Sequence, residues 1–223
     1  SLALLKFFTV LTSLGAKERL ALSFRHMKDD PQNHIRVIPP LLRREVTLHE
    51  PYSGDYIHGY MVNAGFSENV MKWHRQHPGI PLRFFWDKWE EEPVKRVDNT
   101  LSFYQLDDVE FLRQMAGCKA YASTAGFESV CEAMYLGKPI LMVPAHIEQD
   151  CNAYDAEKSG AGIISSDFNL QQLLEFAKDY HPNRDFVYWV RGAEYTLLNL
   201  LESDSSNYQQ VLFNEMYLVE EFI

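Results

Sequence analysis

Apolar and polar positions along this chain switch repeatedly between a strand-like run and a helix-like spacing, with a turn between them. Residues 2–14 carry helical spacing closed by Gly15, and 19–24 read as a short strand. A strand over 56–62 meets a turn at 63–67 and a helix over 68–76. Residues 81–86 form the next strand, and the charged, aromatic stretch that follows through 92 reads as a loop. A strand over 100–103 leads through Leu106, Asp107 and Asp108 into a helix ending near Met115, with Asp107 as its N-cap. Residues 119–122 are a strand, 124–126 a turn and 127–136 a helix. Gly137 stands where a helix end favours positive φ, and Pro139 forbids continuation. The run 140–143 has the continuous apolarity of a strand inside a parallel sheet and stops at Pro144. A polar loop over 145–152, a last strand over 160–164 and helices over 170–178, 184–201 and about 208–222 complete the reading.

Strands alternating with helices imply an α/β fold: a doubly wound, Rossmann-like parallel sheet with C-terminal helices, which binds ligands at the carboxyl ends of its strands. The expected division is a remnant of a preceding α/β domain over 1–24, an interdomain linker over 25–53, the ligand-binding domain over 54–168 and C-terminal helices over 169–223. The linker assignment rests on the weak pattern there and on its prolines, Pro31, Pro39 and Pro40.

The densest chemistry lies between Ser123 and Ala153. A strand, a small-residue turn and a helix present free N–H groups and a dipole that favour phosphate. Gly126 lets an anion approach the backbone, and Ser129 in the first helical turn offers a hydroxyl. Glu132, on the same face one turn after Glu128, can accept both hydrogen bonds of a ribose diol. His146, Glu148, Gln149 and Asn152 in the next loop suit the hydroxyls of a sugar.

This stretch resembles the nucleotide-sugar signature of GT-B glycosyltransferases, the group of UDP-dependent glucosyl- and glucuronosyltransferases. The residues that carry the likeness are Gly126, Ser129, Glu132, Ala133, Gly137, Pro139, Pro144, Glu148, Gln149, Asn152 and Ala153. The resemblance implies a glycosyltransferase that moves a sugar from a nucleoside diphosphate, UDP above all, to an acceptor. It implies diphosphate contacts from Thr124, Gly126, Ser129 and Gly65, ribose contacts from Glu132, and base contacts from Phe103, Tyr104 and Gln105. Donor-sugar contacts would come from His146, Glu148 and Gln149. Thr124 stands where many members carry His, and Phe127 replaces the second glycine of a common pair. No metal and no cofactor beyond the sugar nucleotide is implied, and no D-x-D triplet is present. The general base of such enzymes comes from the N-terminal domain, so no catalytic residue is assigned here. A GT-B epimerase of UDP-amino sugars, or a nucleotide-sugar-binding protein without turnover, are the alternatives.

Composition narrows the rest. A net charge of −10 argues against a general nucleic-acid surface. The three cysteines are odd in number and lack C-x-x-C spacing, which suits reduced thiols in a cytoplasm. No apolar run has membrane-spanning length. The chain opens without Met, and the expectation is a fragment, inactive alone, whose N-terminal domain is missing. His74 and His77 lack companion ligands, Gly137-Lys138 lacks the glycine and Ser or Thr of a P-loop, and no G-x-S-x-G elbow occurs.

Overall fold

A computed structural model describes residues 2–88 and 92–202. The chain begins with α1 (Leu2–Thr12), then β1 (Arg19–Leu22), β2 (Ile35–Ile38) and the short helix α2 (Arg44–Thr47). The main sheet takes β3 (Ile57–Met61), β4 (Leu82–Trp86), β5 (Val94–Arg96), β6 (Leu101–Gln105), β7 (Ala120–Ser123), β8 (Ile140–Met142) and β9 (Gly162–Ile164). Helices α3 (Ser67–Gln76), α4 (Asp108–Gly117), α5 (Phe127–Tyr135) and α6 (Ile147–Lys158) join its strands, and α7 (Leu170–Lys178) and α8 (Arg184–Arg191) follow.

The seven strands lie in the order β5-β6-β4-β3-β7-β8-β9, all neighbours parallel except the edge pair β5 and β6. Leaving β5 aside and counting along the chain, the order is third, second, first, fourth, fifth, sixth. The order in which successive strands are laid down therefore reverses between the parallel β3 and β7, the crevice where doubly wound sheets take their ligands.

Two cores flank the sheet. One face packs under α3 and α7 through Val70, Trp73, Leu170 and Leu173. The other packs under α4, α5, α6 and α8 through Phe111, Leu112, Val130, Met134, Ala153 and Phe186. β7 and β8 are buried at every position, as expected for strands covered on both faces.

Several expected boundaries hold at the level of chemistry. The Asp107 carboxylate accepts from Glu110 N at 2.8 Å and caps α4. Gly137 has φ +69, and its N–H donates to Met134 O at 3.0 Å.

Other expectations need correction. The stretch 25–53, low in pattern, nevertheless holds elements that its sequence did not mark: β2 pairs in parallel with β1 in a separate two-stranded sheet, and α2 follows. Only Ile38 of β2 is buried, so no alternation marked it. This stretch also lies against the large domain through the fully buried Val46, and Phe24 just before it packs on the Phe127 ring at 4.7 Å. The polar loop expected over 145–152 is mostly the first half of α6, and β5 was unmarked. The long helix expected over 184–201 breaks at Gly192, after which a helix covers 193–202. The helix expected over 208–222 lies outside the described residues.

Candidate functional site

The site begins where β7 ends. Ser123 Oγ accepts from Ala125 N at 3.2 Å, and Thr124 Oγ1 accepts from Val62 N at 3.3 Å. These bonds fasten the turn to itself and to the end of β3. The left-handed residue of this turn is Ala125, with φ 62, rather than the glycine beside it. Such a conformation costs a non-glycine residue about 1–2 kcal/mol and persists only where surrounding contacts impose it. Here Ala125 is fully buried, and Asn152 Nδ2 donates to its carbonyl.

Gly126 then caps α5 with ordinary extended angles, φ −63 and ψ 134, and no side chain caps the helix. The first intrahelical bond runs from Val130 N to Gly126 O at 3.2 Å, so the N–H groups of Phe127, Glu128 and Ser129 precede the helical ladder. A Cβ added to Gly126 would meet only Ser129 Oγ, at 3.6 Å. The helix start is thus open to an approaching anion.

A cleft of about 470 Å³ stands over this helix start. Gly126, Phe127, Glu128, Ser129 and Glu132 form one side, Tyr60, Leu106, Asp108 and Phe111 the other, and Arg43 closes it. Tyr60 near the end of β3 and Leu106 just after β6 place the cleft at the carboxyl edge of the sheet, beside the reversal between β3 and β7.

Glu132 is only 2 % exposed. Arg43 binds it with two parallel bonds, Nε to Oε1 at 2.7 Å and Nη2 to Oε2 at 3.0 Å. Arg43 Nη1 also lies 3.2 Å from Asp108 Oδ1. Burial pushes the Glu132 carboxyl above its ordinary range, and the guanidinium opposes that shift. The hydrogen bonds that the Arg43 guanidinium donates to Glu132 hold it more firmly in its charged form. Arg43 owes its position to neighbours: Leu42 packs on the core and Val46 is buried, and of the three residues between them Arg43 lines the cleft.

The residues expected at the site do not all meet in the cleft. Gly126, Ser129 and Glu132 share the cleft. Thr124 is buried beneath the turn with its hydroxyl engaged, and Gly65 lies in an exposed turn with its N–H donated to Asn63 Oδ1 at 2.8 Å. Phe103 belongs to the core, stacked on Trp86 at 4.5 Å, so its side chain offers no face to a base. Tyr104 stacks on Phe85 at 5.0 Å, while Gln105 borders a smaller pocket of about 130 Å³ shared with Trp86 and Leu106. His146 and Glu148 are exposed at the head of α6. Gln149 is buried, its Oε1 accepting from Ala145 N at 2.8 Å.

Sequence reasoning missed Arg43, Tyr60, Asp108 and Phe111. The only signal for Arg43 was its place in the string L-L-R-R-E-V, which carries no period and no motif chemistry of its own.

Solved glycosyltransferases share this fold. The glycotransferase of kitacinnamycin aligns with a TM-score of 0.59 at 14 % identity, over 84 % of this chain and 54 % of its own. The calicheamicin glycosyltransferase CalG4 aligns with a TM-score of 0.53 at 13 % identity, over 76 % and 48 %. A putative UDP-glucuronosyltransferase of Caenorhabditis elegans is 26 % identical over 105 residues, 46 % of this chain and 20 % of that protein. The chain thus spans about half of these solved chains and a fifth of the curated relative. The fold is that of the C-terminal domain of GT-B glycosyltransferases. The profile described as glycosyl transferase family 1 matches residues 14–180, three quarters of the sequence, and the chain belongs to that family.

Proposed function

We propose that this chain is the donor-binding half of a glycosyltransferase that uses a UDP-linked sugar and no metal. The observation that carries the reading is the cleft at the sheet reversal, where the open start of α5 and the carboxylate of Glu132 face one space. The helix start and the Ser129 hydroxyl take the diphosphate, and Glu132 takes the ribose diol. The acceptor hydroxyl or amine attacks the anomeric carbon, the bond to the diphosphate breaks, and the diphosphate leaves with the electron pair. Charge grows on the leaving phosphate, where the N–H groups of α5 are already oriented. Phe103, Tyr104 and Gln105 contribute to the base site mainly through the backbone that follows β6. The head of α6, with His146 and Glu148, faces the donor sugar. Gly65, Thr124 and Gln149 act through the turns that they stabilise.

The family membership supports sugar transfer, and the name of the nematode relative supports UDP. The acceptor proton goes to a base on a preceding domain. Exposed apolar residues support such a domain: α1 has no buried residue, and Leu4 and Phe7 are 67 % and 65 % exposed. In this reading residues 1–24 belong to that domain and 25–53 connect the two. We place the protein in the cytoplasm, which Cys118, Cys131 and Cys151 as free thiols suit. Among the described residues no helix is long and apolar enough to cross a membrane.

Calorimetric titration of the full-length protein with UDP, GDP and TDP, with and without EDTA, tests the reading. Selective binding of UDP that EDTA leaves unchanged and Glu132→Ala weakens is expected. Failure of the full-length protein to bind any of the three overturns it.

A further inference from the structure

The ion pair between Arg43 and Glu132 leaves the cleft in a state that a ribose cannot enter unaltered. Both carboxylate oxygens of Glu132 already accept from the guanidinium. Each oxygen keeps a further lone pair, but the Glu132 side chain is only 3 % exposed beneath the guanidinium, so a diol reaches that carboxylate only if Arg43 turns away. The guanidinium does not thereby leave the site, because its backbone is held by Leu42 and Val46 on the core. Its side chain is 33 % exposed, at the rim rather than sealed inside.

Charge then dictates where it goes. Among the described residues that line the cleft, Arg43 is the only basic one, against Asp108, Glu128 and Glu132. A cleft with three carboxylates and one guanidinium repels a diphosphate unless that guanidinium is redirected to it. Thr124, buried and neutral, supplies no charge. An arginine fork matches phosphate oxygens as well as it matches a carboxylate.

We propose that Arg43 is an exchangeable counter-ion: it pairs with Glu132 while the site is empty, and with the diphosphate of the donor once the ribose diol has replaced it. The inference rests on the donor-site reading above. Arg43 is then a substrate-binding residue, supplied by the segment before α2 rather than by the sheet. The same exchange makes the empty cleft discriminate against nucleosides, which must break the ion pair without offering a phosphate in return.

The test compares UDP with uridine by calorimetric titration of the full-length protein at fixed ionic strength, with guanosine and thymidine pairs in parallel. Arg43→Gln is expected to weaken UDP binding about tenfold or more while leaving uridine unchanged or tighter. Arg43→Lys, which keeps the charge without the fork, is expected to fall between. Equal loss for UDP and uridine would make Arg43 structural, and tighter UDP binding would make it a plug; either result overturns the proposal. If Arg43→Gln fails to fold with Glu132 left unpaired, the double variant Arg43→Gln/Glu132→Gln is compared with Glu132→Gln alone. The UDP-to-uridine affinity ratio must still fall about tenfold. Wild-type protein that binds neither the diphosphates nor the nucleosides overturns the donor site itself, and this inference with it.

Discussion

Asn152 Nδ2 donates to the carbonyl oxygen of Ala125 across 3.4 Å, joining the second turn of α6 to the left-handed residue that precedes α5. The bond links the two segments that the proposed donor site needs together, the phosphate-facing turn and the head of α6. Asn152→Ala removes it without touching the core. A single neutral hydrogen bond contributes about 0.5–1.5 kcal/mol, so UDP affinity should fall roughly twofold to tenfold while the melting temperature changes little. Unchanged UDP affinity in titration would show that the turn holds its shape without Asn152.

Ala125 itself should be intolerant of branching. Its φ of 62 crowds a β-branched side chain, and the position is fully buried beside the core. Ala125→Val is expected to lose about 2–3 kcal/mol of stability in urea unfolding. Ala125→Gly relaxes the backbone but gives up a buried methyl, and should stay within about 1 kcal/mol of wild type. A valine variant as stable as wild type would mean that the turn does not need the left-handed conformation.

Lys138 clamps the entry to the large domain. Its ammonium donates to Tyr52 O at 2.7 Å and to Cys118 O at 2.9 Å, while Tyr52 N and Gly54 N donate to Ala116 O and Gly117 O. The segment before β3 is thereby sewn to the end of α4. Burial lowers the Lys138 pKa, yet both carbonyls need its protons. Lys138→Met removes two charge-assisted bonds and leaves the Cys118 carbonyl buried without them. We expect about 2–4 kcal/mol lost in urea unfolding. A change below about 0.5 kcal/mol would show that water replaces the ammonium.

What the sequence made legible follows from local rules. The unit from β7 to β8 could be read because each boundary has its own chemistry: a capless helix start at Gly126, a positive-φ stop at Gly137, and apolar strands buried on both faces. α6 was read as a loop because its buried positions, Gln149, Ala153 and Ala156, have helical spacing but small or polar side chains, so no apolar stripe appears. β2 escaped for the related reason that one residue of it is buried. Arg43 carried no site signal beyond its place in the string L-L-R-R-E-V. Its partner Glu132 lies 89 residues away, and only the folded chain brings a pattern-poor segment over the start of α5.

His58 should impose an acid limit on stability. Its ring is fully buried on β3, between Phe111 at 4.8 Å and Phe85 and Tyr121 at 5.3 Å. Burial pushes its pKa down to about 3 from an ordinary 6.5. The unfolded chain therefore takes up a proton as pH falls through 6.5, whereas the native chain refuses it until about 3. Between these values the unfolded state holds more protons, so stability declines as pH falls; above 6.5 the group has no effect. At a pH of about 4.5 this one residue should cost about 2–3 kcal/mol relative to neutral pH. Other groups titrate in the same window, Glu132 with the opposite sign because its raised pKa favours the native state as pH falls. The informative quantity is therefore the difference between wild type and His58→Leu, measured as urea unfolding free energies at neutral pH and in acid. The variant should lose less stability on acidification than wild type by about that amount. Parallel declines would place the acid sensitivity elsewhere. The consequence reaches the cleft, since Tyr60 on the same strand lines it and β3 sets one side of the sheet reversal.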